Sequence, residues 1–439
     1  MAAPRQLNLL DATLLVMGGI IGVGIFFTPR AVAESVPHPS AFLAMWVVGG
    51  LIALFGALTF AELGATFPKA GGWYVFLREA YGAFVAYLFA WIVLCVISTG
   101  AIAVMVRVFA DNLPGLPPEG RFAAGAGAIV AVTLLAMLGV KAGATLQNAC
   151  MAVKLLAIAT MVFAGFLLAS PAPPPVCPGP VAASSGGLLS GMIRALLPVL
   201  FACGGWQMLC YVAPQVRDPH RTLPRAIVIG ILGVIATYLA INAAYLRVLG
   251  IDGIVSNPQF AGEMAERTLG RMGFGGAGLL RGAMAVSALG VTIVTVVATP
   301  WLYVAMARER LFFARFGELH PRTGAPIAAL LAQGTVALAY WVWGQADLLV
   351  NSVVFVEWIF HALVAVALLR FRSARPDLPR PFRSPLYPLA PIAYAGFALA
   401  VVAGNLLQRN LRDAAIGLSV LVLGALVYRP WRRLVAARA

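Results

Sequence analysis

Apolar stretches of about 20 residues follow one another along almost the whole of this 439-residue chain, and each is long enough to cross a bilayer as a helix. The composition agrees, because 61% of the residues are hydrophobic and only 11% are charged, whereas soluble domains carry about 25% charged residues. The sequence therefore predicts an all-α polytopic membrane protein with about 12 transmembrane helices. We place the spans at roughly 10–33, 40–67, 76–110, 121–139, 143–169, 187–213, 223–250, 275–307, 325–344, 346–370, 387–407 and 412–428.

The basic residues predict the orientation of the chain in the membrane. The formal net charge is +15. If the N-terminus is cytoplasmic, about two thirds of the lysines and arginines fall on inner loops and tails, which is the positive-inside pattern. The charge is then explained by orientation and by contact with anionic lipid, without nucleic acid as a partner. We predict a multi-pass protein of the cell membrane with both termini in the cytoplasm.

Residues that carry enzyme or metal chemistry do not cluster in the sequence. Four of the five cysteines lie within apolar stretches, the fifth, Cys177, lies on a predicted outer loop, and the four histidines are scattered. There is no CxxC or HExxH motif, no nucleophile beside a histidine base and no central pair of carboxylates. We therefore predict no catalytic residues, no metal and no cofactor.

Two of the predicted spans are interrupted by glycine at mid-depth. The first contains Gly22-Val23-Gly24 and the sixth contains Cys203-Gly204-Gly205. A helix in lipid must close its own hydrogen bonds, so a loosened turn is tolerated only against protein or a wet cavity. Unwinding leaves free N–H groups at the start of one half-helix and free carbonyls at the end of the other. These groups suit a ligand with both a carboxylate and an ammonium, such as a free amino acid.

The two interruptions lie five spans apart, at corresponding positions of two halves of the chain. This spacing is the sequence signal of an inverted repeat. We accordingly divide the chain into a first repeat with spans one to five (1–170), a Pro-rich outer loop (171–185), a second repeat with spans six to ten (186–371), a cytoplasmic loop (372–386) and a last pair of spans with a basic tail (387–439).

Two charged residues are predicted at mid-membrane. Lys154 is about 11 residues into the fifth span, about 16 Å deep. A central lysine costs roughly 2.5–3.5 kcal/mol on insertion, so it needs an internal partner. Glu357 has a similar depth in the tenth span, with His361 one turn later on the same face. A carboxylate at this depth is a functional candidate, and the alternative is a protonated or hydrogen-bonded packing residue.

A third acidic residue, Glu62, lies near the cytoplasmic end of the second span. Basic residues follow it closely on the inner loop, at Lys69 and Arg78. We interpret Glu62 as an interfacial carboxylate that pairs with one of these two residues.

Several motifs occur in order along the chain. They are Ile20-Ile21-Gly22-Val23-Gly24-Ile25-Phe26, Ala61-Glu62-Leu63-Gly64, Pro68-Lys69-Ala70-Gly71-Gly72, Phe201-Ala202-Cys203-Gly204-Gly205-Trp206, Arg217-Asp218-Pro219 through Leu223-Pro224-Arg225-Ala226-Ile227, and Arg375-Pro376-Asp377-Leu378-Pro379-Arg380-Pro381-Phe382. In these motifs the whole chain resembles the amino acid/polyamine/organocation superfamily, and within it the L-type amino acid transporters and their bacterial relatives. The resemblance implies a leucine-transporter-like fold of two inverted five-helix repeats plus two C-terminal helices. It also implies alternating access, with spans one, two, six and seven rocking against a scaffold.

The resemblance also implies the substrate site. The amides of Val23 and Gly24 would bind the substrate carboxylate, and carbonyls of Ile20, Phe201 and Cys203 would bind its ammonium. Phe201 would act as an aromatic gate, and Gly204 would leave room for the substrate side chain. The full predicted site is Ile20, Ile21, Gly22, Val23, Gly24, Phe201, Ala202, Cys203, Gly204, Gln207 and Met208.

By the same resemblance, Lys154 places an ammonium where related transporters bind sodium. It would bridge the first span to the eighth near Ser287. A fixed cation there implies transport that is independent of sodium. Glu357 is a candidate for the side-chain pocket or for a proton site.

The chain departs from the family pattern at several positions, which leaves the substrate open. Val23 stands where serine is common, Gln207 and Met208 stand where asparagine and tyrosine are common, and Ile293-Val294 replaces an Asn-Gly pair. Animal members pair with a glycoprotein through a cysteine in the loop after the third span. Residues 111–121 contain no cysteine, so no disulfide-linked heavy subunit is expected.

The first hypothesis is therefore a sodium-independent transporter of neutral L-amino acids that works as an exchanger. A carrier of cationic amino acids or polyamines is an alternative, with Glu357 contacting a distal ammonium. A proton-coupled symporter is another, with Glu357 or Lys154 titrating. From other classes, a membrane nutrient sensor or an intramembrane enzyme remains, although no output domain and no catalytic constellation is evident in the sequence.

Overall fold

The computed structural model describes residues 5–168, 187–270, 273, 275–407 and 411–437. The regular elements of these residues are helical, as the sequence predicts, and one isolated bridge joins Leu7 to Val216. The predicted Pro-rich loop and Cys177 lie outside the described residues. Helices α1 to α18 are, in order, Leu9–Ile20, Thr28–Ser35, Pro39–Thr66, Trp73–Tyr81, Ala83–Ile92, Ser98–Asn112, Pro118–Met137, Val140–Leu167, Gly187–Cys203, Met208–Tyr211, Pro219–Ser256, Phe260–Thr268, Gly276–Ala298, Pro300–Arg308, Ile327–Trp343, Ala346–Ala374, Leu389–Leu407 and Leu411–Ala437.

Six helices in the described part of the chain are long and apolar enough to cross a membrane. They correspond to the predicted second, third, fourth, fifth, seventh and eighth spans. Four shorter apolar helices, Leu9–Ile20, Ser190–Cys203, Ile327–Trp343 and Leu389–Gly404, fall within the predicted first, sixth, ninth and eleventh spans. The first and sixth are short because each span is split into two pieces. The fold is thus an all-helical, multi-pass membrane fold.

The third span begins later than predicted. Residue 76 belongs to α4, a separate helix that lies before the span. Gly82, with φ of 90°, ends α4, and α5 begins at Ala83. A π-helical turn over Val93–Ile97 then joins α5 to α6.

Both glycine-rich interruptions are real breaks in the helices. In the first span α1 ends at Ile20, and a 3₁₀ turn over Val23–Phe26 leads into α2. In the sixth span α9 ends at Cys203, and Gly205, with φ of 126°, turns the chain before α10 begins at Met208. The predicted interruptions of the first and sixth spans are therefore confirmed.

The two breaks touch each other through glycine. A Cβ atom added at Gly205 would lie 2.3 Å from the carbonyl oxygen of Gly19, so no other residue fits there without moving the backbone. Gly205 also has a positive φ, which disfavours other residues. The first and sixth spans therefore cross with their backbones in direct contact.

The helices around the breaks form two packed groups. In one group α11 packs against both α1 and α3, and α3 packs against α9. In the other group α13 packs against α6 and α8, and α15 packs against α6 and α7. Helix α1 also contacts α8 and α13, so the first break lies where the two groups meet.

Candidate functional site

The first break presents two backbone donors that have no partner. Gly22 is extended, with φ of −100° and ψ of −155°, and it precedes the 3₁₀ turn that begins at Val23. Among the described residues, no group accepts a hydrogen bond from the N–H of Val23 or of Gly24. Gly24 is half-buried. These N–H groups begin a helical segment, where an anion is stabilised by unpaired donors and by the helix dipole.

The sixth break presents carbonyl groups instead. The N–H of Gly204 donates to the carbonyl of Phe201 at 3.4 Å, a long contact. No described residue donates a hydrogen bond to the carbonyl of Cys203. Gln207, predicted to line the pocket wall, is buried, and its side-chain oxygen accepts from the N–H of Gly205 at 3.0 Å. Its carboxamide therefore satisfies a donor of the break itself.

Tyr238 joins the two breaks. Its hydroxyl lies 3.2 Å from the carbonyl oxygen of Ile20 and 3.0 Å from that of Ala202, the ends of the two interrupted half-helices. The side chain is fully buried and packs edge-on against Trp46, with ring centroids 5.6 Å apart. Sequence reasoning missed this residue. The available signal was a tyrosine at mid-depth in the seventh span, away from the interfaces where tyrosine is usual.

Lys154 reaches the first break from α8. Its Nζ donates to the carbonyl oxygen of Ile21 at 2.6 Å, and the side chain is buried. On the eighth span its neighbour is Gly290, where an added Cβ atom would lie 3.1 Å from Nζ. The predicted neighbour, Ser287, is buried with a hydroxyl that has no hydrogen-bond partner. The contact with the eighth span is therefore made at Gly290 and not through Ser287.

Gln147, two turns before Lys154 on α8, is a second polar group that sequence reasoning did not assign to the site. A Cβ atom added at Gly18 would lie 1.6 Å from its Nε2, and one added at Gly290 would lie 3.0 Å from its Oε1. Neither atom of the carboxamide has a hydrogen-bond partner among the described residues. Two glycines thus admit a polar side chain between the first, fifth and eighth spans.

The site is open on one side in this structure. Phe201, the predicted gate, is 66% exposed and does not cover the breaks, and Phe27 is 51% exposed. A cavity of about 330 Å³ reaches Phe26 and Phe27 from the side of α12. Of the other predicted site residues, Ile20, Ile21, Val23, Ala202 and Cys203 are buried, and Gly22, Gly204 and Met208 are half-buried.

A family model described as amino acid permease matches residues 7–427. The chain belongs to the amino acid permease family. The predicted membership of the amino acid/polyamine/organocation superfamily, and of its L-type branch, is thereby confirmed.

Several relatives of this permease are amino acid transporters. The b(0,+)-type amino acid transporter 1 of Homo sapiens is 30% identical over 391 residues, which cover 87% of this chain and 79% of the relative. The large neutral amino acids transporter small subunit 2 of Homo sapiens is 29% identical over 450 residues, covering 97% and 80%. The serine/threonine exchanger SteT of Bacillus subtilis is 30% identical over 427 residues, covering 95% and 94%.

Glu62 of the permease, near the end of α3, is enclosed by hydrogen-bond and ion-pair partners. Arg372 bonds both of its carboxylate oxygens, at 2.8 and 2.6 Å, and the N–H of Ser384 donates to it at 2.7 Å. Arg380 adds a contact at 3.8 Å. The predicted pairing with Lys69 or Arg78 is wrong, because the chain after α16 folds back over the end of α3.

The inner-loop residues make a second set of ion pairs. Lys69 and Arg375 contact Glu79 at 3.5 and 3.1 Å, and Arg78 contacts Glu309 at 2.9 Å. Burial alone would raise the pKa of Glu79, but the hydrogen bond from Arg375 and the charge of Lys69 outweigh it and hold the pKa below its ordinary value. These pairs tie α4 to the ends of α14 and α16.

Asp11 ties the start of α1 to α8. Its two carboxylate oxygens accept from Lys141 at 2.7 Å and from Asn148 at 2.8 Å. The N-terminal strand segment also bonds the chain beyond α10, through the N–H of Leu7 and the carbonyl of Gln215 at 2.9 Å. These contacts close the side of the site that is opposite the cavity at Phe26 and Phe27.

Glu357 is half-buried and has no hydrogen bond or ion pair with any residue that the structure describes. It lies close enough to Tyr211 and Tyr394 to interact electrostatically with their hydroxyls. His361, one turn away, instead bonds the hydroxyl of Tyr394. Its ring packs against Trp73, with centroids 4.5 Å apart. No group of His, Cys, Asp or Glu in the described ranges has the makeup of a metal site.

Proposed function

We propose that this permease exchanges neutral L-amino acids across the cell membrane by alternating access. The observation that carries the proposal is the pair of unpartnered N–H groups at Val23 and Gly24, close to the end of α9, where no described residue donates to the carbonyl of Cys203. The donors match a carboxylate and the carbonyls match an ammonium. The names of two relatives, a large neutral amino acids transporter subunit and a serine/threonine exchanger, agree with this substrate class.

We further propose that transport does not require sodium. The ammonium of Lys154 contacts the carbonyl of Ile21 at 2.6 Å and is buried beside the first break. A fixed cation at this depth needs such an internal partner, and it occupies carbonyl oxygen that a metal ion would otherwise use.

We also propose the division of the chain into two repeats and the orientation of its termini. The repeats would span residues 1–170 and 186–371, with loops over 171–185 and 372–386 and a final pair of helices over 387–439. Both termini would be cytoplasmic, on the side that carries the ion pairs of Glu62 and Glu79. No disulfide-linked heavy subunit and no catalytic activity are proposed.

The test is counterflow in proteoliposomes. Vesicles containing the purified protein are loaded with labelled leucine or alanine, and each of the 20 amino acids is added outside, with and without sodium. Efflux should be accelerated by neutral L-amino acids only, and it should be the same in both buffers. If labelled substrate leaves at the same rate with nothing outside, the exchanger assignment fails. If no amino acid is transported, a membrane nutrient sensor becomes the better hypothesis.

A pair of proline variants tests the binding mode. Val23→Pro removes one unpartnered N–H, and the extended Gly22 before it accepts a following proline. Leu9→Pro is the matched control, since Leu9 is exposed, begins α1 and follows the extended Asn8. Loss of a bond to a carboxylate should weaken amino acid binding by roughly 10- to 100-fold in the first variant only. Equal binding in both would contradict the role given to this amide.

A second candidate rests on Glu357. Its carboxylate has no partner among the described residues and lies near Tyr211, the last residue of α10, the short helix after the sixth break. This placement favours a distal ammonium or a transported proton as the missing partner. If lysine or putrescine drives counterflow, Glu357→Gln should abolish that signal and keep the leucine signal. If a pH gradient drives uptake, the same variant should remove the gradient dependence.

A further inference from the structure

A cavity of about 320 Å³ lies away from the breaks, where α4, the end of α14 and the end of α18 meet. Three of its six lining residues are arginines, and the lining consists of Arg78, Ala83, Glu309, Arg310, Leu311 and Arg432. Trp431 fixes the end of α18 to this place, because its indole N–H donates to the carbonyl of Leu311 at 3.0 Å. The cavity is therefore built by three elements that are distant in sequence.

The cavity holds positive charge that the protein does not neutralise. Glu309 is already engaged, since it accepts from Arg78 and from the hydroxyl of Tyr74, both at 2.9 Å. The side chains of Arg310 and Arg432 have no hydrogen bond or ion pair with any described residue. Two guanidinium groups thus line one cavity without a counter-ion.

Arg310 occupies a position where glycine is usual. Its φ of 57° is left-handed, and it lies two residues after the end of α14, where the N–H of Leu311 donates to the carbonyl of Met306. Glycine is preferred at such a helix end because it alone avoids the steric cost of this conformation. An arginine that bears this cost beside the cavity indicates that its side chain is used.

Exposed apolar side chains border the cavity. Phe84, next to Ala83, is 42% exposed, and Leu434, two residues after Arg432, is 41% exposed. A positive-inside bias alone would scatter arginines over this side of the protein and would not bring three of them to one cavity. A ligand here would contact guanidinium groups at one end and lipid-facing apolar side chains at the other.

We propose that this cavity binds the phosphate of an anionic phospholipid in the inner leaflet. Arg310 and Arg432 would hold the phosphate oxygens, since a planar guanidinium matches them with paired donors. Arg78 lies at the edge of the same cavity and is shared with Glu309. Lipid would therefore compete with Glu309 for Arg78 and loosen the ion pair that ties α4 to the end of α14.

The test is lipid binding by the purified full-length protein, measured by native mass spectrometry with phosphatidylglycerol titrated into detergent. Arg310→Gln combined with Arg432→Gln is compared with Arg429→Gln combined with Arg433→Gln, which removes equal charge from exposed positions outside the cavity. The first pair should weaken the tightest binding by about 30-fold and the control pair by less than about threefold. Equal weakening by both pairs would overturn the proposal.

Two further arms complete the test. Inorganic phosphate in millimolar excess should leave the tightest lipid bound, and its displacement by phosphate would identify a site for soluble anions instead. Glu309→Gln frees Arg78 and should tighten lipid binding, an outcome that does not depend on the folding of the arginine variants. No change in that variant would contradict the shared role of Arg78. Binding is read without transport, so the result is independent of the proposed substrate.

Discussion

Glu62 and Glu357 are both carboxylates on long apolar helices, but the protein surrounds them differently. Glu62 has no exposed surface, and Arg372, Arg380 and the N–H of Ser384 enclose it. Glu357 retains exposed surface and has no partner in the described part of the chain. A buried charge whose partners are all present stabilises the fold, whereas a buried charge without a protein partner indicates a ligand. The same contrast separates the bonded carbonyl of Ile21 from the free N–H of Val23.

The largest expected effect comes from Glu62→Gln. The change leaves the buried side chain of Arg380 and the half-buried side chain of Arg372 facing a neutral amide, so the free energy of unfolding should fall by about 3 kcal/mol. Thermal unfolding of the purified protein in detergent measures it. Glu357→Gln is the matched control and should alter stability by less than about 0.5 kcal/mol. Similar losses in both variants would remove the distinction drawn between the two carboxylates.

A smaller effect is expected at Tyr238. Tyr238→Phe removes the hydroxyl that contacts the carbonyls of Ile20 and Ala202, which should lower stability by about 1–1.5 kcal/mol. Tyr245→Phe is the control on the same helix, because its hydroxyl is buried without a hydrogen-bond partner. Unfolding midpoints of the two variants should differ by about 1–2 °C. A lower midpoint for Tyr245→Phe would count against this assignment.

The smallest effect is a pH dependence from Glu79. Its folded pKa is below the ordinary value of 4.5, so the unfolded chain binds more protons in the acid range. Its contribution to stability is complete above pH 4.5 and is lost as the pH falls through the folded pKa. Melting temperatures of the wild type and of Glu79→Gln should therefore converge on acidification. A constant difference between pH 7 and pH 3.5 would contradict this.

The sequence was sufficient to predict the helical membrane fold, because hydrophobic length and the need to satisfy the backbone in lipid are local properties. The same holds for the breaks, since residues 22–24 and 203–205 carry their glycines in the sequence itself. The depth of Lys154 followed from its distance to the start of its helix, and its contact with Ile21 occurs where the break exposes a carbonyl.

Partners that come from distant parts of the chain could not be predicted in this way. Arg372 lies 310 residues from Glu62, whereas Lys69 and Arg78 are near in sequence and so were preferred. Gln207 was assigned to the pocket from its position, but its side chain bonds Gly205. Tyr238 joins the two breaks through its hydroxyl, and nothing in a single apolar span indicates which helix ends that hydroxyl will meet.

The contact between Gly19 and Gly205 has a consequence for how the protein distinguishes its cargo. Because no side chain separates the two backbones, we expect that tilting the first span displaces the sixth, and the reverse. If the acid group binds at one span and the amine at the other, as proposed, binding of either group moves both spans together. Simple carboxylic acids or amines carry only one of the two groups. They should bind to the permease without triggering the conformational change of transport.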